Sequence, residues 1–196
     1  MEPLETTEKI EGAAHASVGS GRRIGLLIAM LAALLALTEA GGKSAQTEAL
    51  NANVQASDLW TFFQAKTVRL TTIRTAAELS RIDLLREPAP EIKAAIGKQI
   101  DSWNATAGRY ESDPETREGR KELSERAKEA EAERDRGLAA YHLFEFGSAA
   151  AQLAIVLASA AIITGVTLFI YVAVGLGMVG GALGLVAWLA PTMLHL

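Results

Sequence analysis

Few residues in this chain are equipped for chemistry. Its three histidines are His15, His142 and His195, and it contains no cysteine. Thiolate metal sites, thiol nucleophiles and disulfides are therefore excluded. His142 and Glu145 stand three residues apart on one helix face, whereas a di-iron bundle places Glu before His, twice, with further acids on facing helices. That spacing predicts a polar face at a membrane edge, and no metal or cofactor is expected. No Walker A loop, G-x-S-x-G or H-E-x-x-H occurs, so no catalytic residue and no enzymatic activity are expected. The residue with most chemical interest is Glu39, the one acid inside an apolar stretch. A carboxylate within a bilayer is by default a candidate for proton or ion handling. Its place one turn before Lys43 and beside Gly41-Gly42 predicts that it snorkels to the interface or pairs.

A second group sits in the polar middle of the chain: Trp60, Phe62, Phe63 and Trp103, with Gln64 and Lys66 beside them. Packing between helices explains these aromatics more simply than a ligand groove does. Lys66 interrupts an otherwise apolar repeat, where a lysine sets register or pairs with a partner acid.

The elements that must position these residues follow from the distribution of charge. From Gly147 to Leu194, 48 residues pass without Asp, Glu, Lys or Arg. One span needs roughly 20 apolar residues, so this run predicts a transmembrane hairpin. Gly177 with Gly181 and Gly180 with Gly184 form two overlapping G-x-x-x-G pairs, predicting close helix contact. Tyr141, Tyr171 and Trp188 are taken as interfacial landmarks. Near the other end, Arg22 and Arg23 precede a 14-residue apolar run, Ile24–Leu37, which reaches Gly42 if Glu39 is tolerated. An uncleaved span is favoured over a signal peptide cut at Thr38-Glu39-Ala40 and over a twin-arginine signal. Ala32, Ala36 and Ala40 give it a small-residue face for helix packing.

Between the apolar ends, residues 43–145 carry 16 of the 19 basic and 18 of the 23 acidic residues. The net charge of −4 and the lack of a basic stripe with interleaved aromatics exclude a nucleic-acid partner. No Pro or Gly breaks 43–86, and Ala56, Phe63, Leu70, Ala77 and Leu84 recur every seven residues, with Leu59 and Ile73 three residues after members of the set. This seam, interrupted at Lys66 and Ser80, predicts a coiled-coil-like helix that needs partner helices. Glu87-Pro88-Ala89-Pro90 stops that helix and starts the next. Ser112-x-x-Glu115 reads as a capping box for a third.

The expected fold is thus an all-α membrane protein with three transmembrane helices, one N-terminal and two in a C-terminal hairpin, and a long-helix extramembrane domain. Its parts are a disordered tail over 1–21, a first span over 22–42, a helical domain over 43–145 (helices 43–86, 90–109 and 113–145), and spans over 146–171 and 174–192.

The segment Trp60-Thr61-Phe62-Phe63-Gln64-Ala65-Lys66, with Gly42-Lys43-Ser44-Ala45-Gln46 before it, resembles a family of bacterial membrane proteins catalogued as a domain of unknown function. The likeness covers nearly the whole length: one N-terminal span, a helical middle with the W-x-F-[FY]-Q-A-K segment, and a C-terminal hairpin. It implies a bacterial inner-membrane protein with three spans and implies no catalytic residue.

Arg22 and Arg23 favour a cytoplasmic N-terminus and a periplasmic central domain. The function expected is a non-enzymatic scaffold or accessory subunit. It would contact membrane lipids and either self-associate or dock on a larger membrane complex. The contacts would run through the Gly/Ala faces and a seam comprising Trp60, Phe63, Gln64, Lys66, Leu70, Ala77 and Leu84. A small oligomeric channel with Glu39 near its pore is the alternative.

Overall fold

The computed structural model describes the backbone of residues 3–193 and the side chains of residues 21–193. Apart from Gly21, the side chains of the expected disordered tail, 1–21, lie outside the described residues. Four α-helices follow one another: α1 (Pro3–Leu84), α2 (Pro90–Glu111), α3 (Arg120–Thr164) and α4 (Thr167–Leu189), with a short 3-10 turn at Pro191–Met193. There is no strand among the described residues. Three helices, α1, α3 and α4, are long and apolar enough to cross a membrane.

The chain forms two compact units. One takes residues 1–48 and 136–196, the other 49–135. In the first unit α1, α3 and α4 enclose Ile24, Leu31, Ala154, Ala158 and Ala173. In the second, Ala56 and Leu59 of α1 pack on Leu123, Ala127 and Ala130 of α3, with Trp60, Phe62 and Phe63 at the margin; α2 buries Ile100 and Ala107.

Burial along α1 follows the seven-residue repeat. Ala49, Ala52, Ala56, Leu59, Lys66, Leu70 and Ala77 are buried, separated by threes and fours or their sums. In the unit that holds residues 1–48 the same spacing buries Ile24, Leu31, Thr38 and Ala45. The repeat works because alternating three- and four-residue steps keep a stripe on one face of a helix. Gly41 and Gly42 do not interrupt α1, although each glycine costs roughly 1 kcal/mol of helix propensity. A methyl group on Gly41 would sit 2.7 Å from the ring of Phe144, so the missing side chain gives that ring its place.

Several boundaries differ from the expected ones, two of them by a turn or more. The capping box at Ser112 does not form, and α3 starts at Arg120 rather than 113. Ser112 instead caps the end of α2, its N–H donating to Gly108 O, while its hydroxyl donates to Glu122 Oε1 at 2.6 Å. Asp113 N–H donates to Glu122 Oε2 at 3.1 Å, and Arg117 adopts a positive φ of 56°. Glu122 therefore closes the 112–119 loop from inside α3. Gly119 is enclosed by Glu122, Asp113 N and Ser112 Cα, leaving no room for a Cβ.

The hairpin apex also falls earlier than the aromatics suggested. The second apolar helix ends at Thr164 rather than 171, and α4 runs from Thr167 to Leu189 rather than over 174–192. Gly165 decides this: its φ of 69° is left-handed, and its N–H closes the helix on Ala161 O at 2.9 Å. Tyr171 consequently lies within α4, exposed, and does not mark a helix end. At about 1.5 Å per residue the 23 residues of α4 span about 35 Å, enough for a hydrocarbon core of about 30 Å.

The Ser112 contact sets up a pH-dependent result. The Ser112 hydroxyl holds the Glu122 carboxyl below its usual range, slight desolvation opposing and the backbone N–H groups of Glu122 and Asp113 and nearby Lys121 assisting. A depressed pKa stabilises the fold above the unfolded-state value, and that contribution is lost as pH falls through the folded-state value. Ser112→Ala is expected to lower the thermal midpoint at neutral pH, with the gap to wild type narrowing as pH drops below the ordinary carboxylate range. A gap that is the same at every pH would show that Glu122 is not the group involved.

Candidate functional site

In unit 49–135, the residues singled out by the sequence fall into two sets. Trp60, Phe63, Lys66, Leu70 and Ala77 turn toward the chain's own helices α2 and α3, and Leu84 is half-buried. The seam therefore finds partners within the molecule. Only Gln64 of that set is exposed.

Lys66 is 9% exposed and held by three groups. Its ammonium lies 5.1 Å from the ring centroids of both Phe62 and Tyr110 and 3.6 Å from Glu118 Oε2. Cation–π contacts contribute about 0.5–1 kcal/mol each and up to about 2 when desolvated. The half-exposed Glu118 partner adds about 0–1 kcal/mol. The aromatic faces thus hold this charge at least as firmly as its carboxylate.

A second cation, Arg120 at the start of α3, stacks 4.9 Å from the Phe63 centroid. Its Nε donates to Thr67 Oγ1 at 2.9 Å, and its Nη1 reaches Glu111 Oε1 at 3.3 Å. Arg74 approaches the same Glu111 at 3.1 Å, and Trp60 Nε1 donates to Glu131 Oε1 at 2.9 Å. Sequence reasoning found Trp60, Phe63 and Lys66 but not Tyr110, Glu111, Glu118, Arg120 or Glu131. Their roles arise from contacts across helices, which no local spacing encodes. The cluster is saturated with internal partners, which suits it to fastening α1, α2 and α3.

The surface of the same unit is different. Val54, Val68, Leu79 and Ile82 of α1 are exposed, with Thr61 and Thr75 completing a second seven-residue series, Val54-Thr61-Val68-Thr75-Ile82. A shallow groove of about 590 Å³ runs along Thr67, Val68, Thr71, Thr72, Thr75, Ala76 and Leu79. Thr67, Thr71 and Thr72 each donate to the carbonyl four residues back, which satisfies their hydroxyl protons within the helix. The result is an apolar stripe on the side opposite the internal seam.

In the unit of residues 1–48 and 136–196, the glycines of α4 are at helix contacts. Gly177 and Gly180 are buried, and Gly181 and Gly184 are half-buried. A Cβ on Gly180 would lie 2.8 Å from Gly147 O, and one on Gly147 would lie 3.0 Å from Gly180 O. The backbones of α3 and α4 cross there. Gly184 faces the Thr38 methyl and Gly177 faces a terminal methyl of Leu31, while Gly181 meets Leu34 only at ordinary van der Waals distance. Ala32, Ala36 and Ala40 do not pack within the chain: all three are exposed, because α1 turns Ile24, Leu31 and Thr38 inward instead.

Glu39 is exposed and accepts a hydrogen bond from the Gln152 amide at 3.4 Å. It forms no ion pair with Lys43. Both residues line an open groove of about 320 Å³ together with Thr38, Gly42, Gln46, Tyr141, Phe144, Glu145 and Ser148. His142 Nδ1 lies 3.7 Å from Glu145 Oε2 beside it. Among the described residues no three His, Asp or Glu side chains gather as a metal-ligand set.

Fold and surface together define an all-helical protein with three helices long and apolar enough to cross a membrane. The chain belongs to the DUF4337 family, described as a domain of unknown function, whose model matches residues 20–190. No curated protein and no solved structure matches the chain.

Proposed function

We propose that this protein is a non-enzymatic, multi-pass scaffold or accessory subunit of the bacterial inner membrane, built to associate through one face of α1. The observation that carries this reading is the outward stripe of Val54, Val68, Leu79 and Ile82 in the unit that holds most of the charge. Large apolar side chains arranged in one stripe mark an interaction surface, whereas singly scattered ones do not. The exposed small face of Ala32, Ala36 and Ala40 supports the same reading, since close approach of small residues drives helix association in lipid. Arg22-Arg23 before the first apolar run support a cytoplasmic N-terminus, and with it a periplasmic 49–135 unit.

The absence of native cysteine makes the test direct. Val68→Cys and Leu79→Cys, introduced singly, are expected to give disulfide-linked dimers on mild oxidation in native membranes, because the bond needs Cα atoms within about 7 Å. Lys98→Cys on exposed α2 is the control and is expected to remain monomeric. Equal crosslinking at all three positions, or none at Val68 and Leu79, removes self-association through this face. The Leu79→Cys variant also reports orientation: a membrane-impermeant maleimide is expected to label it in intact spheroplasts, and labelling only after lysis would place the unit in the cytoplasm.

A small oligomeric channel is the second reading, favoured by the exposed Glu39–Gln152 pair inside apolar stretches of α1 and α3. Ion flux in liposomes that Glu39→Gln abolishes would support it.

A further inference from the structure

We propose that the groove between residues 38–46 of α1 and 141–148 of α3 binds the headgroup of an aminophospholipid, a phosphate joined to a primary ammonium. The inference rests on the membrane reading above and adds a ligand to it. The groove lies where the apolar stretches of both helices meet charge. On α1 the apolar run gives way to Glu39 and Lys43; on α3 Glu145 is the last charged residue before the uncharged stretch. Phe144 packs against Gly41 and Gly42, so these two transitions stand at the same level. In a bilayer that level is the headgroup zone, and Tyr141 on the groove wall is the residue type that zone favours.

The lining suits a zwitterion better than a simple anion or cation. Lys43, Gln46 and the Tyr141 hydroxyl are donors suited to phosphate oxygens; Glu39 and Glu145 are acceptors suited to an ammonium. Lys43 forms no ion pair among the described residues, although Glu39 is one turn away. Among the described residues Glu39 is held only by a long hydrogen bond from Gln152, and Glu145 only by His142 at 3.7 Å. Charges of both signs thus remain available in one groove. Two carboxylates against one ammonium disfavour a headgroup that brings only negative charge. They also favour an ammonium that keeps its N–H groups, since a quaternary ammonium cannot donate to a carboxylate. Exposed Leu37 and Phe146, adjoining the lining residues in sequence, offer apolar surface for acyl chains.

The test is native mass spectrometry of the full-length protein in detergent with phosphatidylethanolamine, phosphatidylcholine or phosphatidylglycerol added, and with glycerophosphoethanolamine as the headgroup without chains. Phosphatidylethanolamine is expected to be retained roughly tenfold more than the other two lipids, as one charge-assisted hydrogen bond would provide. Glu145→Gln is expected to erase the preference for phosphatidylethanolamine over phosphatidylcholine. Lys43→Gln is expected to weaken both alike, through their shared phosphate. Retention of glycerophosphoethanolamine equal to that of the intact lipid would assign the groove to a soluble phosphoethanolamine and overturn the lipid. Equal retention of the three lipids, a preference for phosphatidylglycerol, or variants that behave as wild type would overturn the groove. Both side chains are exposed, and unchanged helicity by circular dichroism confirms that the variants fold. Release of the protein from membranes by carbonate would overturn the membrane reading itself, a result distinct from an embedded protein with no lipid preference.

Discussion

Gly180→Ile is expected to lower the thermal midpoint of the detergent-solubilised protein by about 2–12 °C while leaving membrane insertion unchanged. The cause is the crossing of α3 and α4, where the groups that would meet the new Cβ are backbone. Gly147 O lies 2.8 Å from the position a Cβ would take, and the reciprocal distance is 3.0 Å. A carbonyl fixed in a helix ladder cannot rotate away as a side chain does, so the helices must separate. Overpacking costs typically about 1–3 kcal/mol, and each kcal/mol moves the midpoint of a chain this size by about 2–4 °C. The neighbouring glycines provide the scale. Gly177→Ala meets only the end of the flexible Leu31 side chain, Gly181→Ala meets Leu34 at 3.9 Å, and Gly175→Ala meets nothing within 4 Å. These three are expected to fall within a few degrees of wild type. A Gly180→Ile protein that melts with wild type would show that the backbones do not approach at this crossing.

Leu123→Ala is expected to cost about 2–5 kcal/mol, the range for removing a fully buried leucine. Leu123 is 0% exposed and packs among Ala56, Leu59 and Ala127, with the rings of Trp60, Phe62 and Phe63 at the edge of the cluster. Alanines already form much of this core, and a single methyl group cannot reorient to fill a gap, so the cavity persists. The matched control is Ile92→Ala on α2, away from the proposed association face, where the side chain is 54% exposed. That change is expected to stay within about 0.5 kcal/mol. Chemical denaturation followed by circular dichroism reads both. Equal losses at the two positions would mean that burial does not set what Leu123 contributes.

Much of the architecture is legible in the residues, and its failures have specific causes. The uncharged stretch after Glu145, the Pro88 and Pro90 break and the repeat through Ala56, Leu70 and Ala77 each reflect a local rule that tertiary contacts reinforce. The hairpin apex is different. Tyr171 marks an interface only if the helix ends there, whereas Gly165, with its left-handed backbone, ends it first. At Ser112 the S-x-x-E pattern is present, but the serine bonds Glu122, ten residues on, and that choice depends on how α2 meets α3. Which way the small residues of α1 face is hidden for a third reason. Alanines occur on several faces of the 22–42 segment, so their spacing alone does not select a side. Ile24, Leu31 and Thr38 do select it, seven residues apart. Gly147, whose Cβ position lies against the Gly180 carbonyl, reads in sequence merely as the start of the uncharged run, because its partner is 33 positions away.

The position of the apex at Gly165 and Val166 bears on how the hairpin would enter a bilayer. The connection between α3 and α4 is two residues long and uncharged, and the nearest charged side chain before it is Glu145. No charged side chain would have to be carried across the hydrocarbon when α4 follows α3, so the pair is suited to partition as a preformed unit rather than one helix at a time. Insertion of the C-terminal hairpin would then require no charged side chain to cross, whichever side of a membrane holds the polar 49–135 unit.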